Sequence, residues 1–237
     1  MKTIKLLSSE QEKALLRMLV EKYTADANGA SRIVFLVDSS DIQGCGVDVD
    51  INRDYVIKVA IGLAGINQNG VESNAYRYYG ETYALAEVPY IGHYIEIMEA
   101  VEVWDLRGTF DDNYDYFYET MHENYDFDED RVREFYDVVL SMEDINGYTS
   151  DNAQVGINKE GRVVAFDYGF DNNTDERFCS TISQWTDFDS DVETTERYLN
   201  ALVDLIDAED EAIDELERSL CKELGACFYD DEEGDEE

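Results

Sequence analysis

Basic residues are what this chain lacks most: 18 Lys and Arg stand against 56 Asp and Glu, a formal net charge of −38 over 237 residues. A surface of that sign repels DNA, RNA and anionic lipid. It excludes direct nucleic-acid and membrane-surface binding and points to cations or basic protein surfaces as partners. The imbalance exceeds what solubility needs, and its self-repulsion destabilises the compact state, so the charge is itself a candidate for function. Cysteine is scarce: Cys45, Cys179, Cys221 and Cys227 have no Cys-x-x-Cys spacing, which argues against a structural zinc site. With no leader-like or long apolar stretch, the thiols read as reduced in a cytosolic compartment. The two histidines, His93 and His122, have no accompanying Ser or Cys motif for nucleophilic catalysis, and both are expected as surface or satisfied residues.

What is present is enough for a real core. The chain is 44% hydrophobic, and its length suits one large domain or two lobes. Ser9 followed by Glu12 reads as a capping box, and Leu15, Leu16, Leu19 and Val20 continue it as an amino-terminal helix to about Tyr23. Small residues, Gly29 to Ser31, then lead into a strand-like run, Ile33 to Val37; they could let a phosphate approach the backbone or form an ordinary polar turn. Asp38 to Arg53, with Gly44 and Gly46, reads as a loop or hairpin insert. Tyr55 to Ala60 is a second strand with Lys58 among apolar neighbours. Glu72 is expected at the head of a helix running through Ala75, Tyr78 and Tyr79, and Tyr94 to Val101 reads as a strand and hinge.

The most informative stretch is Gly156 to Phe170. Two apolar runs flank Asn158-Lys159-Glu160-Gly161, a polar turn with Gly where φ > 0 is needed, so a tight β-hairpin is expected. It ends on Asp167-Tyr168-Gly169, with Asn152 upstream.

Taken together, Gly29 to Phe35, Val56 to Ala60, Gly65 to Asn69 with Glu72, and Gly156 to Phe170 resemble a protein-kinase-like family carried by bacteriophages. The resemblance implies an α+β, degenerate two-lobed protein-kinase-like fold. Its parts would be an N-lobe at 1–100, an acidic, mainly helical C-lobe at 101–229 with the hairpin at 153–170, and an acidic disordered tail at 230–237. It also implies nucleotide-binding places for Gly29, Ser31, Lys58, Glu72, Asn152 and Asp167. Three departures count against catalysis. The family's proton-accepting Asp falls at Gly147, with only Asp144 and Asp151 nearby; no His-Arg-Asp run exists; and no Ala-Pro-Glu follows in a chain with one Pro. The expectation is a pseudokinase, with no cofactor, and with ATP and Mg²⁺ bound only where the pocket is intact.

The acid is concentrated. Asp111 to Asp130 holds nine carboxylates (Asp111, Asp112, Asp115, Glu119, Glu123, Asp126, Asp128, Glu129, Asp130) and no Lys or Arg, interleaved with Tyr114, Tyr116, Phe117, Tyr118, Tyr125 and Phe127. Aromatics at this spacing can bury one helix face while carboxylates line the other. Side chains three or four apart lie about 5–6 Å apart, a row able to imitate a phosphate backbone. Asp126-x-Asp128-x-Asp130 is not a calcium loop, because Arg131 stands at the required Gly and no Glu occupies the twelfth place. From about Thr194 to Leu224 an amphipathic helix is expected to dock on the C-lobe with an acidic outer face including Asp207, Asp210 and Asp214. Seven of the last eight residues are acidic, a solvated tail.

Three functions fit these readings. The first is a DNA-mimicking inhibitor that occupies the basic DNA channel of a host enzyme, acting in the cytoplasm of a phage-infected bacterium. In charge and size the chain is also similar to acidic early host-takeover proteins of large Bacillus phages, and that likeness implies bacterial RNA polymerase as the target. The second is an atypical kinase using Asp167 and Asn152 for Mg²⁺. The third is a halophile or virion protein whose acid keeps its surface hydrated.

Overall fold

The computed structural model describes residues 1–28, 31–104, 113–125, 127–143, 145, 154–167 and 192–224, with the backbone alone at 27, 28, 143 and 213–224. Among them the chain is α+β with two sheets. The larger has six strands in the order β1-β5-β6-β4-β3-β2: β1 Lys5–Leu6, β2 Ala27–Asn28, β3 Arg32–Asp38, β4 Asp54–Ala60, β5 Tyr90–Ile91 and β6 Ile95–Glu99. β7 (Glu102–Trp104), β8 (Gln154–Ile157) and β9 (Val163–Phe166) form the smaller, antiparallel one. The helices are α1 Ser9–Lys22, α2 Ser39–Gly44, α3 Gly62–Tyr79, α4 Tyr114–Tyr125, α5 Glu129–Glu143 and α6 Val192–Leu224.

Alternation places the site. Along β4, Ile57 and Val59 join a core with Leu15, Leu16 and Leu19 of α1, while Lys58 between them turns to the opposite face, against α3. On β6, Ile95 and Ile97 enter that same core, and Glu96 points with Lys58, its antiparallel partner in register. The period of two therefore sorts apolar side chains to one face and charged ones to the other.

Several expectations need correction. The capping box is Ser8–Gln11, one residue early: Gln11 N–H donates to Ser8 Oγ at 3.2 Å and Ser8 N–H to Gln11 Oε1 at 3.0 Å. Glu12 is elsewhere because its buried carboxylate accepts the backbone N–H groups of His93 (3.1 Å), Tyr94 (2.5 Å) and Ile95 (2.8 Å). A Cβ at Gly92 would come within 2.6 Å of that carboxylate, so the close approach needs glycine. The segment 38–53 is not wholly loop, since α2 lies within it. Glu72 is well inside α3, which begins at Gly62.

The largest correction concerns α6. Leu199, Leu202, Val203 and Ile206 pack with α1 and the large sheet in the core of the first hundred residues, not on the 101–166 region. The stripe finds the most apolar partner available, the Leu-rich face of α1. Polar contacts agree: Tyr198 Oη donates to Ala60 O at 2.9 Å and accepts Gly62 N–H at 3.1 Å. The second core joins Ala75 and Tyr76 of α3 to Phe117 and Met121 of α4, Phe135 and Val139 of α5, and the hairpin's Val155, Val163 and Ala165. The expected hairpin is present: Gly161 has φ +76°, and Asn158 closes the turn through Arg162 and Gly161. Among the described residues no helix is long and apolar enough to cross a membrane.

Candidate functional site

The large sheet, α3 and the end of β9 bring five ionisable side chains into one largely buried cluster. Lys58 Nζ donates to both carboxylate oxygens of Glu72 at 2.8 Å. Arg32, at the start of β3, donates to Glu72 and to Asp167, and to Asn69 Oδ1 at 3.3 Å. Glu96 lies 3.7 Å from Lys58 and 3.9 Å from Arg32. Asp167, just beyond β9, has φ +54°, a left-handed conformation that turns its carboxylate inward. There it also accepts from Gln154 (2.9 Å) and Gln68 (3.4 Å) and lies 3.9 Å from Lys58.

Burial makes these pairings decisive. Arg32, Lys58, Glu72 and Glu96 are almost wholly out of water, while about a third of the Asp167 side chain is exposed. Burial alone would raise the Glu72 pKa, but Arg32 and Lys58 outweigh it and bring the carboxyl down to about 2. Glu96 goes the other way: burial and the neighbouring Glu72 carboxylate hold its pKa well above the ordinary range. Burial lowers the Arg32 pKa, and Glu72, Asp167 and Glu96 more than reverse it. A buried charge stays ionised only with such partners.

Of the six residues expected at a nucleotide site, the structure brings Lys58, Glu72 and Asp167 together. Ser31 is nearby but engaged: its hydroxyl donates to Gln68, and its carbonyl accepts Ile61 N–H at 2.7 Å. It is also pressed by α3, since a Cβ at Gly65 would lie 2.3 Å from the Ser31 carbonyl oxygen. Gly29 and Asn152 lie outside the described residues, as do Asp144, Gly147 and Asp151. Sequence reasoning missed Arg32, Glu96 and Gln154. The available signal was alternation: a charged residue flanked by Ile95 and Ile97 shares the face of Lys58 only if β6 is beside β4.

The acidic surface divides into two kinds. On α4, Asp115, Glu119 and Glu123 are exposed and four residues apart, a row stepping about 6 Å along one helix face. Phe117 and Met121 bury the opposite face, and Asn113 caps the helix by accepting Asp115 N–H at 3.1 Å. Among the described residues no Lys or Arg pairs with that row. On α5, Asp128 caps the helix through Arg131 N–H (2.9 Å), Glu129 pairs with Arg133 (2.9 Å), and Asp130 is exposed. On α6, by contrast, Asp207 and Asp210 hold the buried Lys13 at 2.8 and 3.4 Å. Asp111, Asp112 and Asp126 lie outside the described residues, as does the Asp214 side chain. The same holds for the tail at 230–237.

Both histidines have local partners: His93 packs edge-on against Tyr94, and His122 stacks on Tyr118 with Nδ1 2.9 Å from Phe127 O. Among the described residues no group of His, Cys, Asp and Glu is arranged to hold a metal ion. Comparison of the chain with protein-family models finds no match, and comparison with curated proteins finds none either.

Proposed function

We propose that this protein is a kinase-like scaffold without phosphotransfer, which works as an acidic DNA mimic. In this reading it occupies the basic DNA-binding channel of a host enzyme, bacterial RNA polymerase, in the cytoplasm of a phage-infected cell, and inhibits host transcription. The observation that carries the proposal is the α4 row Asp115, Glu119 and Glu123, exposed and unpaired by any described cation. Such a row has the sign and repeat that a channel built for phosphates receives, and the −38 charge provides long-range steering toward it. The charge cluster supports the other half. Lys58 and Arg32 are already neutralised by Glu72 and Asp167, so the place of phosphates and metal in the kinase resemblance is filled by the chain's own groups.

Purified RNA polymerase titrated with the labelled protein tests this. Binding should weaken steeply with salt and be displaced by duplex DNA. D115N/E119Q/E123Q should weaken it on the order of tenfold, as three exposed pairs of about 0.2–1 kcal/mol each require. Unchanged affinity, or indifference to DNA, would remove this surface from the mechanism.

The bidentate Lys58–Glu72 pair beside Asp167 favours one second reading, an atypical kinase. Mg·ATP binding that is lost in Lys58→Ala, with phosphate transfer to a protein substrate, would establish it.

A further inference from the structure

Glu96 is the member of the buried cluster that its neighbours leave out. It is fully enclosed, and neither carboxyl oxygen has a hydrogen-bond donor in the structure. Lys58 from β4 gives its hydrogen bonds to Glu72, and Arg32 from β3 gives its own to Glu72, Asp167 and Asn69. Both cations stay 3.7–3.9 Å from Glu96, beyond hydrogen-bonding distance. From α3, the Glu72 carboxylate is the neighbouring like charge, and Asn69 leaves its Nδ2 without a partner. Counted as ions, the cluster would be three carboxylates against two cations, an excess charge in a dry site. One proton on Glu96 removes the excess and turns one of its unpartnered oxygens into a donor.

We propose that Glu96 is a neutral carboxylic acid at neutral pH, donating its O–H to Glu72, and that this proton keeps a latch closed between the two sheets. With Glu96 neutral, Lys58 and Arg32 are free to hold Glu72 and Asp167. Arg32 to Asp167 then ties β3 of the large sheet to the end of β9 in the small one. When Glu96 gives its proton to solvent, both cations are drawn to it. Asp167, the member with most access to water, is the one released. The latch thus closes on the acid side of the Glu96 transition and opens on its alkaline side. It stands independently of what the α4 surface binds.

Two measurements on the full chain test this. In carbon-13 NMR of the wild type, the Glu96 carboxyl should carry the protonated shift at pH 7 and titrate only above it. In denaturant unfolding, E96Q supplies a permanently neutral isostere. The wild-type unfolding constant relative to E96Q should rise about tenfold per pH unit from the ordinary Glu range up to the Glu96 transition, because the folded state then holds one proton more than the unfolded state. An ionised Glu96 shift at pH 7, or a ratio flat with pH, overturns the proposal. The NMR titration decides it alone if E96Q does not fold.

Discussion

Replacing Arg32 by Met tests whether the charge cluster is a self-neutralised unit. Met keeps most of the stem volume and removes the guanidinium, which is 4% exposed and holds Glu72, Asp167 and Asn69 at once. The remaining cation, Lys58, then faces Glu72, Glu96 and Asp167. Breaking a buried pair by removing one partner costs about 3–5 kcal/mol, because the other charge stays buried without compensation. For a chain of this size each kcal/mol moves the melting temperature by roughly 2–4 °C, so R32M should melt roughly 6–20 °C below wild type. Asp167→Asn keeps a side chain that tolerates positive φ. In R32M/D167N the surplus carboxylate is gone, and the double variant should recover about 1–3 kcal/mol relative to the sum of the singles. Calorimetry or circular dichroism reads both. A loss under about 3 °C for R32M, or simple additivity with D167N, would refute the idea that the charge cluster is a self-neutralised unit.

Other outcomes follow from single contacts. Glu12→Ala should destabilise by about 3 kcal/mol in denaturant unfolding, since two buried backbone N–H groups and a partly buried third lose their acceptor. Gly65→Ala should cost roughly 1–3 kcal/mol on the same measure, because the new methyl meets the Ser31 carbonyl and the α3–β4 contact must open. Glu72 sits at about 2, below the ordinary value of 4.5. Its contribution is therefore fully present above pH 4.5 and is lost as pH falls toward 2, an acid limb that E72Q should lack.

Features set by near neighbours are legible in the order of residues alone. The turn at Asn158–Gly161 needs one glycine at positive φ between two apolar runs, and it forms where expected. Helix α1 follows from its Leu spacing, with the cap displaced by one residue because Glu12 has a stronger, distant set of donors. Lys58 and Glu72 are legible as a pair only through the kinase resemblance, in which a strand Lys meets a helix Glu. Arg32 is not, because the alternation of Ile33, Phe35 and Val37 gives its face but not the distant carboxylates, Glu72 and Asp167, that meet it there.

By itself the sequence determined the charge of −38, the alternation of the strands, the hairpin and the amphipathic helices. All of these depend on composition or on residues a few positions apart. Only the tertiary structure decided which of these charges are paired inside the fold. Arg32 meets Asp167 across 135 residues and Lys13 meets Asp207 across 194. A helix period shows that Asp207 and Asp115 both lie on polar faces. Sheet order and the docking of α6 on α1 are what enlist Asp207 in an internal ion pair, while Asp115 meets no cation among the described residues, because pairing depends on distance in space, which residue spacing does not encode at that range.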